Sequence, residues 1–225
     1  GGNCEGWERV PYWLDGFIPL AYLLEREDMI ATVKKYIDSI LSKQQPDGWI
    51  CPCKKEEIPK YDTWALQLIC KTLKVYYECS GDERIPDVIY KVLKNYYDLL
   101  KSGTIKLFGW GKYRWFESFI SINFLYEKYQ EEWIKDLAKI IKEQGFDYNA
   151  TTENWTKPSH VWKMNTHIVN LTMMLKSEAV SHELLGEQYT DNAERFREIL
   201  DKYNGTAFEG FTGDEVLSGI DPTRG

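Results

Sequence analysis

Apolar residues along the chain recur at helical spacing, and the segments that they define come in pairs. From Pro11 to Glu25 and from Met29 to Lys43, apolar positions follow the 3.6-residue period of an α-helix. A short acidic turn separates the two segments, so the pattern predicts a helical hairpin. No stretch of useful length alternates between apolar and polar residues as a half-buried strand would. The pattern therefore predicts an all-α chain.

The same hairpin pattern returns three more times, with turns roughly every fifty to sixty residues, as in repeat proteins. In each unit the first helix is apolar on nearly every side, whereas the second is amphipathic and rich in Lys and Glu. A helix that is apolar all round is buried, and a striped helix keeps one face in water. We therefore expect the first helices to lie inside and the second helices outside. The later units are predicted over Asp62–Cys79 with Ile85–Lys101, Trp115–Tyr129 with Trp133–Gln144, and Thr166–Leu185 with Ala193–Tyr203.

Long connections that carry glycine and aromatic residues follow the outer helices. Because short turns alternate with these long loops, all the long loops should lie at one end of the helices. Loops held on a rigid scaffold are the usual place for binding and catalysis. The pattern predicts one domain over residues 1–225, an (α/α) toroid built of helical hairpins with its working face at the loop-rich end. Four hairpins are fewer than a closed (α/α)6 barrel needs, so we expect an incomplete barrel.

Composition excludes several classes of partner. The net charge of −7 comes from mixed helical faces without a basic block, which argues against nucleic acid. No apolar run approaches the roughly 18 residues of a membrane span, and no signal-peptide pattern is visible. Five scattered cysteines favour reduced thiols, so we expect a cytoplasmic location. The Cys51–Cys53 pair is too isolated to predict a metal site.

The motif near the start of the chain, GWERVPYWLDG, is rich in aromatic and charged residues. Trp7, Glu8, Arg9, Tyr12 and Asp15 provide ring faces and polar groups of the kind that a sugar requires. We predict that they line a saccharide cavity. Structural roles stay open: Arg9 is a natural ion-pair partner for Asp15 if that carboxylate is buried, and Glu8 suits the positive end of a helix.

Further candidates stand at the other loop-rich positions. Asp62, in KYDTW, is predicted to cap the second inner helix and to point toward the cavity. His167, in NTHIVN, begins the fourth inner helix and is either a proton donor or acceptor for the ligand or a satisfied structural histidine. Trp110, Arg114 and Trp115, in WGKYRW, complete the predicted substrate-binding set.

Several segments, taken in order, resemble one enzyme family. They are GWERVPYWLDGFIPLAYLL, QQPDGW, the SGDE turn, WGKYRW, THIVNLTMMLK and FTGDEVLSGIDPTRG. Together they resemble the bacterial β-L-arabinofuranosidase-type glycoside hydrolases, in particular a less characterised branch of that family. The likeness runs through nearly the whole chain.

The resemblance implies a retaining glycosidase with an (α/α)6 toroid that acts on arabinose-containing or related oligosaccharides. It implies a cysteine nucleophile near a zinc ion and a glutamate as general acid/base, which matches Glu215 in GDE. It also implies that His167 contacts sugar hydroxyls. The matching cysteines and zinc ligands would follow Gly225, so we expect a catalytic-domain fragment with no cofactor of its own and with zinc only in the complete protein. Whether the fragment is active stays open.

Two alternatives remain. One is another α/α-toroid hydrolase or lyase that uses two carboxylates, for instance on unsaturated uronides, with Arg9 and Arg114 placed to face an acidic sugar. The other is a non-catalytic helical module that binds carbohydrate or protein. An incomplete ring also predicts self-association through exposed inner helices.

Overall fold

The computed structural model describes residues 7–154, 163–188 and 190–211. Regular structure in these ranges is helical, apart from one isolated bridge between Gly205 and Phe211, so the all-α prediction is confirmed. None of these helices is both long and apolar enough to cross a lipid bilayer. The helices are α1 (Arg9–Leu23), α2 (Glu27–Leu41), α3 (Trp64–Ser80), α4 (Arg84–Lys101), α5 (Gly109–Tyr113), α6 (Ser118–Tyr129), α7 (Glu132–Gln144), α8 (Ile168–Met173), α9 (Ser177–Leu185) and α10 (Asn192–Asn204). Short 3₁₀ turns occupy Lys55–Lys60, Trp115–Glu117, Asn149–Asn154, Met164–Thr166 and Met174–Lys176.

The first three predicted hairpins correspond to α1 with α2, α3 with α4, and α6 with α7, with ends shifted by a few residues. The fourth differs, because its first segment was predicted as one helix and is broken in two. A 3₁₀ turn at Met174–Lys176 separates α8 from α9. The Thr172 hydroxyl donates to the carbonyls of both Ile168 and Val169, at 3.0 Å each. Such side-chain bonds to the preceding turn often bend helices, although Thr72 makes the same bond to Leu68 within the uninterrupted α3.

The first helices of the units pack against one another in chain order. α1 contacts α3, α3 contacts α6, and α6 contacts α9. α1, α3 and α6 each also contact the second helix of their own unit, whereas α10 contacts the 3₁₀ turn at Met174–Lys176. Among the second helices, α4 contacts α7. Every residue from Trp64 to Cys70 in α3 is buried, so α3 is covered on all sides. By contrast, α7 buries a single stripe that includes Ile134, Leu137 and Ile141. The expected contrast between inner and outer helices is present between α3 and α7, whereas α1 departs from it, with Trp13 42% and Leu20 47% exposed.

The QQPDGW segment ties the first unit to the second. Trp49 is buried, and its Nε1 donates to the Cys51 carbonyl at 2.8 Å. Gly48 has φ +96°, and a Cβ atom there would lie 2.2 Å from the Lys91 carbonyl oxygen on α4. The Gln44 amide donates to the Val88 carbonyl, also on α4, at 3.1 Å. This loop therefore depends on a glycine for close backbone contact.

Candidate functional site

Arg114 is the centre of a polar cluster where the inner segments begin. It follows α5 directly, and only 5% of its surface is exposed. The guanidinium carbon lies 4.7 Å from the ring centroid of Trp64 and 4.4 Å from that of Trp110. A guanidinium shielded from water by aromatic rings gains on the order of 2 kcal/mol from a favourable cation–π contact. The two indoles thus stabilise a buried charge that would otherwise be costly.

The hydrogen bonds of Arg114 reach the first and the fourth unit. Nε donates to Asn170 Oδ1 at 2.8 Å, and Nη1 donates to the Tyr12 hydroxyl at 3.1 Å. Nη1 also lies 3.7 Å from a carboxylate oxygen of Glu8. Asn170 is completely buried, and its Nδ2 donates to the Met164 carbonyl at 2.8 Å. Arg114 therefore joins α1, the loop of the third unit and α8 at one point.

Glu8 connects the start of α1 to the start of α3. Its Oε2 accepts a 2.5 Å hydrogen bond from Trp64 Nε1, while about a third of the side chain stays exposed. The ring of Trp64 is fully buried and lies 6.0 Å, centroid to centroid, from the ring of Tyr12. Tyr12 itself is 41% exposed. A carboxylate oxygen and a phenol ring are therefore presented at the surface of the cluster.

Asp62 holds α5 against the start of α3. Its Oδ1 accepts from the backbone N–H groups of Trp64 at 3.1 Å and Gly111 at 2.9 Å, and Oδ2 accepts from Trp110 at 2.7 Å. A Cβ atom on Gly109 would lie 2.3 Å from Oδ2, so this approach requires glycine. Burial raises the pKa of Asp62, although these backbone donors lower it. The prediction of Asp62 as the cap was displaced by one residue, because Thr63 occupies that position.

His167 begins the fourth inner segment, as predicted, and it is buried. Its Nδ1 accepts the backbone N–H of Val169 at 3.1 Å and so caps α8. The imidazole meets the Trp110 ring edge to face, with centroids 5.4 Å apart. His167 therefore supports Trp110, the ring that contacts Arg114.

The Tyr12 hydroxyl is influenced by one positive group and three negative groups. Burial raises its pKa, the Arg114 guanidinium lowers it, and the carboxylates of Glu8, Glu117 and Asp15 raise it. The net shift is upward, so the phenol keeps its proton at neutral pH and can donate a hydrogen bond.

Asp15 does not pair with Arg9, and that prediction was wrong. Its Oδ2 binds Lys71 Nζ on α3 at 2.9 Å, whereas Arg9 is exposed. Residues six apart on a helix lie on different faces, so Arg9 could not reach Asp15 once α1 had formed. Oδ1 of Asp15 is buried and makes no hydrogen bond within the described residues.

Several residues in or next to the cluster were not predicted from the sequence. Glu117 is almost completely buried and forms an ion pair with Lys176. Its only signal in the sequence is a lone carboxylate in the apolar run RWFESFI. The other missed residues are Trp64, Lys71 and Asn170, of which Lys71 also stands out as a charge within an apolar helix.

Two predicted aromatic residues lie outside the cluster. Trp7 packs edge to face on Tyr61, with centroids 6.3 Å apart, and lines an apolar groove of about 280 Å³ beside α1. Trp115 is buried, its Nε1 donates to the Phe146 carbonyl at 3.2 Å, and its ring covers Gly145. Both rings act in packing where the structure places them. The proposed acid/base Glu215 lies outside the described residues.

The described residues contain no group of three or more His, Cys, Asp and Glu side chains that could hold a metal ion. Cys51 and Cys70 are buried near each other, and burial raises the pKa of both thiols, to about 12 for Cys70. Two thiols alone fall short of the four ligands of a structural zinc site. The zinc implied by the resemblance finds no ligand set in this part of the chain.

Comparisons of the chain with protein-family models, curated proteins and solved structures find no match. The chemistry of the site therefore rests on its own geometry. That geometry combines aromatic rings, a buried guanidinium, a protonated phenol and a partly exposed carboxylate where several inner segments begin.

Proposed function

We propose that the chain forms the α/α-toroid domain of a β-L-arabinofuranosidase-like glycoside hydrolase, and that the Arg114 cluster holds the saccharide. The observation that carries the proposal is the position of Arg114. This residue of the third unit contacts Tyr12 in the first unit and Asn170 in the fourth. Helix pairs that curl around a common axis would bring such distant segments together over one hollow. The chain order of the inner contacts, α1 to α3 to α6 to α9, supports the same curvature.

The chemistry of the cluster suits a neutral sugar. Sugars present apolar C–H faces that pack on aromatic rings and hydroxyl groups that need both donors and acceptors. The exposed part of Tyr12 provides a ring, its hydroxyl provides a donor, and Glu8 provides an acceptor. Nη2 of Arg114 makes no hydrogen bond within the described residues, which leaves a charged donor for the ligand. The remaining polar atoms hold these groups in place.

In this proposal Glu215 is the general acid/base, and the nucleophile comes from the residues that the resemblance places after Gly225. The proposal is tested on a protein that carries both this chain and the residues that supply the nucleophile, compared with its Glu215→Gln variant on an aryl β-L-arabinofuranoside. Loss of turnover with unchanged oligosaccharide affinity supports the acid/base role. Equal turnover in both proteins contradicts it. If that longer protein binds sugar without turnover, the non-catalytic binding module is favoured.

A second candidate is an enzyme that uses two carboxylates on an acidic sugar. The observation in its favour is that Glu8, Asp15 and Glu117 all act electrostatically on Tyr12, close to the basic groups of Arg114 and Lys71. A uronide would pair its carboxylate with the basic groups and leave carboxylates to move protons. Competition between galacturonate and arabinose oligosaccharides separates the two candidates. Tighter binding of the uronide, or release of an unsaturated product that absorbs ultraviolet light, favours the second.

A further inference from the structure

α1 carries a row of apolar side chains on a side that the described residues leave partly exposed. Val10, Trp13, Phe17, Leu20 and Leu24 follow one another at spacings of three, four, three and four residues. Their exposed fractions are 43% for Val10, 42% for Trp13, 47% for Leu20 and 56% for Leu24. Phe17 is half-buried and stacks on Trp13, with centroids 4.6 Å apart. This spacing is that of a helix that packs along another helix.

The row continues onto α2 and is separate from the candidate site. Tyr36 of α2 is 40% exposed and meets the Trp13 ring at a centroid distance of 5.0 Å. The opposite side of α1 faces α3, where Asp15 binds Lys71. A contiguous exposed apolar patch on a folded protein often marks an interaction surface. A partner on this face would leave the Arg114 cluster accessible.

We propose that this face, hereafter the α1 face, binds a second copy of the same chain, with the two α1 helices antiparallel. The α1 face is its own complement about a twofold axis between positions 16 and 17. Trp13 then lies opposite Leu20 of the second copy, and Gly16 lies opposite Phe17.

Size and charge both select the antiparallel arrangement. Gly16 is exposed, and a Cβ atom there would have nothing within 4 Å, so there is space for a phenyl ring from the other copy. Arg9 at the start of one α1 approaches Glu25, just past the end of the other, and both side chains are exposed. A parallel arrangement would instead place the two Arg9 side chains together, which is unfavourable. This inference does not depend on the proposed function.

The test is the mass of the 225-residue chain in solution, measured by sedimentation velocity over a concentration series. We expect a dimer for the parent chain and monomers for Leu20→Glu and Trp13→Glu. Phe208→Glu is the matched control, because Phe208 is 95% exposed in a loop outside the α1 face, and it should remain dimeric. Circular dichroism establishes that each variant keeps its helical content. A parent chain that is monomeric throughout, or a dimer that persists in both folded α1 variants, overturns the proposal.

A cross-linking experiment tests the orientation without disturbing the apolar residues. Gly16→Cys introduces a thiol beside the proposed twofold axis, so oxidation with copper–phenanthroline should give a disulfide-linked dimer above the background of the parent chain. Lys139→Cys, an exposed position on α7, is the control and should not. Equal cross-linking of the two variants overturns the antiparallel arrangement.

Discussion

Arg114 and Asn170, 56 residues apart in the sequence, are joined by a 2.8 Å hydrogen bond from Nε to Oδ1. Both side chains are buried, and Asn170 is held from its other end by the Met164 carbonyl. The bond fixes the guanidinium where it contacts Trp64 and Trp110. It also joins the third unit to the fourth, so the shape of the candidate site depends on long-range packing.

Arg114→Lys should destabilise the protein although it keeps the charge. A lysine ammonium neither stacks on indoles as a planar guanidinium does nor reaches both Tyr12 and Asn170. We expect a loss of about 1–3 kcal/mol in the free energy of unfolding, because buried polar partners are left unpaired. Arg26→Lys is the control: Arg26 pairs with Asp28 at an exposed site, where water screens the ion pair and little change is expected. Denaturant unfolding measures both, and equal losses would contradict the structural role of Arg114.

Gly48→Ala should cost far more than Gly186→Ala. Both glycines have positive φ, but only at Gly48 would the new Cβ atom meet backbone, 2.2 Å from the Lys91 carbonyl oxygen. We expect a loss of about 3 kcal/mol or more at Gly48, from strain and displacement of the loop from α4. At Gly186, where nothing lies within 4 Å, the loss should be about 1 kcal/mol. Similar losses in thermal or denaturant unfolding would show that the loop is not packed as described.

Asp62 should make stability fall as pH rises through a window that begins near its ordinary pKa of 3.8. Burial raises the pKa of Asp62 in the folded state, so the unfolded chain releases this proton first and gains stability relative to the folded chain. The difference in unfolding free energy between the parent and Asp62→Asn should therefore decrease as pH rises through the window and become constant above it.

Asp28→Asn provides a control of opposite sign for the Asp62 experiment. The hydrogen bond from Arg26 lowers the pKa of Asp28, so its contribution is present above the ordinary pKa and is lost as pH falls. The parent-minus-variant difference should then increase as pH rises. A difference for Asp62→Asn that is independent of pH, or that rises as for Asp28, would contradict the assignment.

Local hydrophobic patterns were sufficient to predict the helical units but not the points where a helix is interrupted. The continuous burial of α3 and the striped burial of α7 follow directly from the distribution of apolar residues. The break between α8 and α9 falls within an apolar pattern whose periodicity does not locate it. Among the described residues α1 is more exposed than expected, and periodicity does not indicate which helices cover one another.

Glu8 and His167 lie at helix starts, as predicted, but the partners of the candidate residues were not predicted. Glu8, Tyr12 and Arg114 lie together because α1 and α5 both meet the start of α3. The pairing of Asp15 with Lys71 depends on which faces of α1 and α3 meet, and this is a property of the tertiary structure. Trp7 and Trp115 look like Trp110 in the sequence, since all three are tryptophans in or beside the long loops, but they serve packing. An indole gains from burial in a core as well as from contact with a ligand, so residue type alone does not separate the two roles.

The central claim is that the Arg114 cluster binds a saccharide, and calorimetric titration with arabino-oligosaccharides tests it most directly. The titration is made on the parent chain, on Trp110→Ala and on Trp133→Phe, with circular dichroism as the folding control. Trp133 is a half-buried tryptophan of α7 that packs on Tyr90 and Tyr97, away from the cluster. We predict saturable binding by the parent and by Trp133→Phe, and affinity about tenfold lower or worse for Trp110→Ala, equivalent to roughly 1.4 kcal/mol. No saturable heat with the parent chain, or unchanged affinity in folded Trp110→Ala, would contradict the claim.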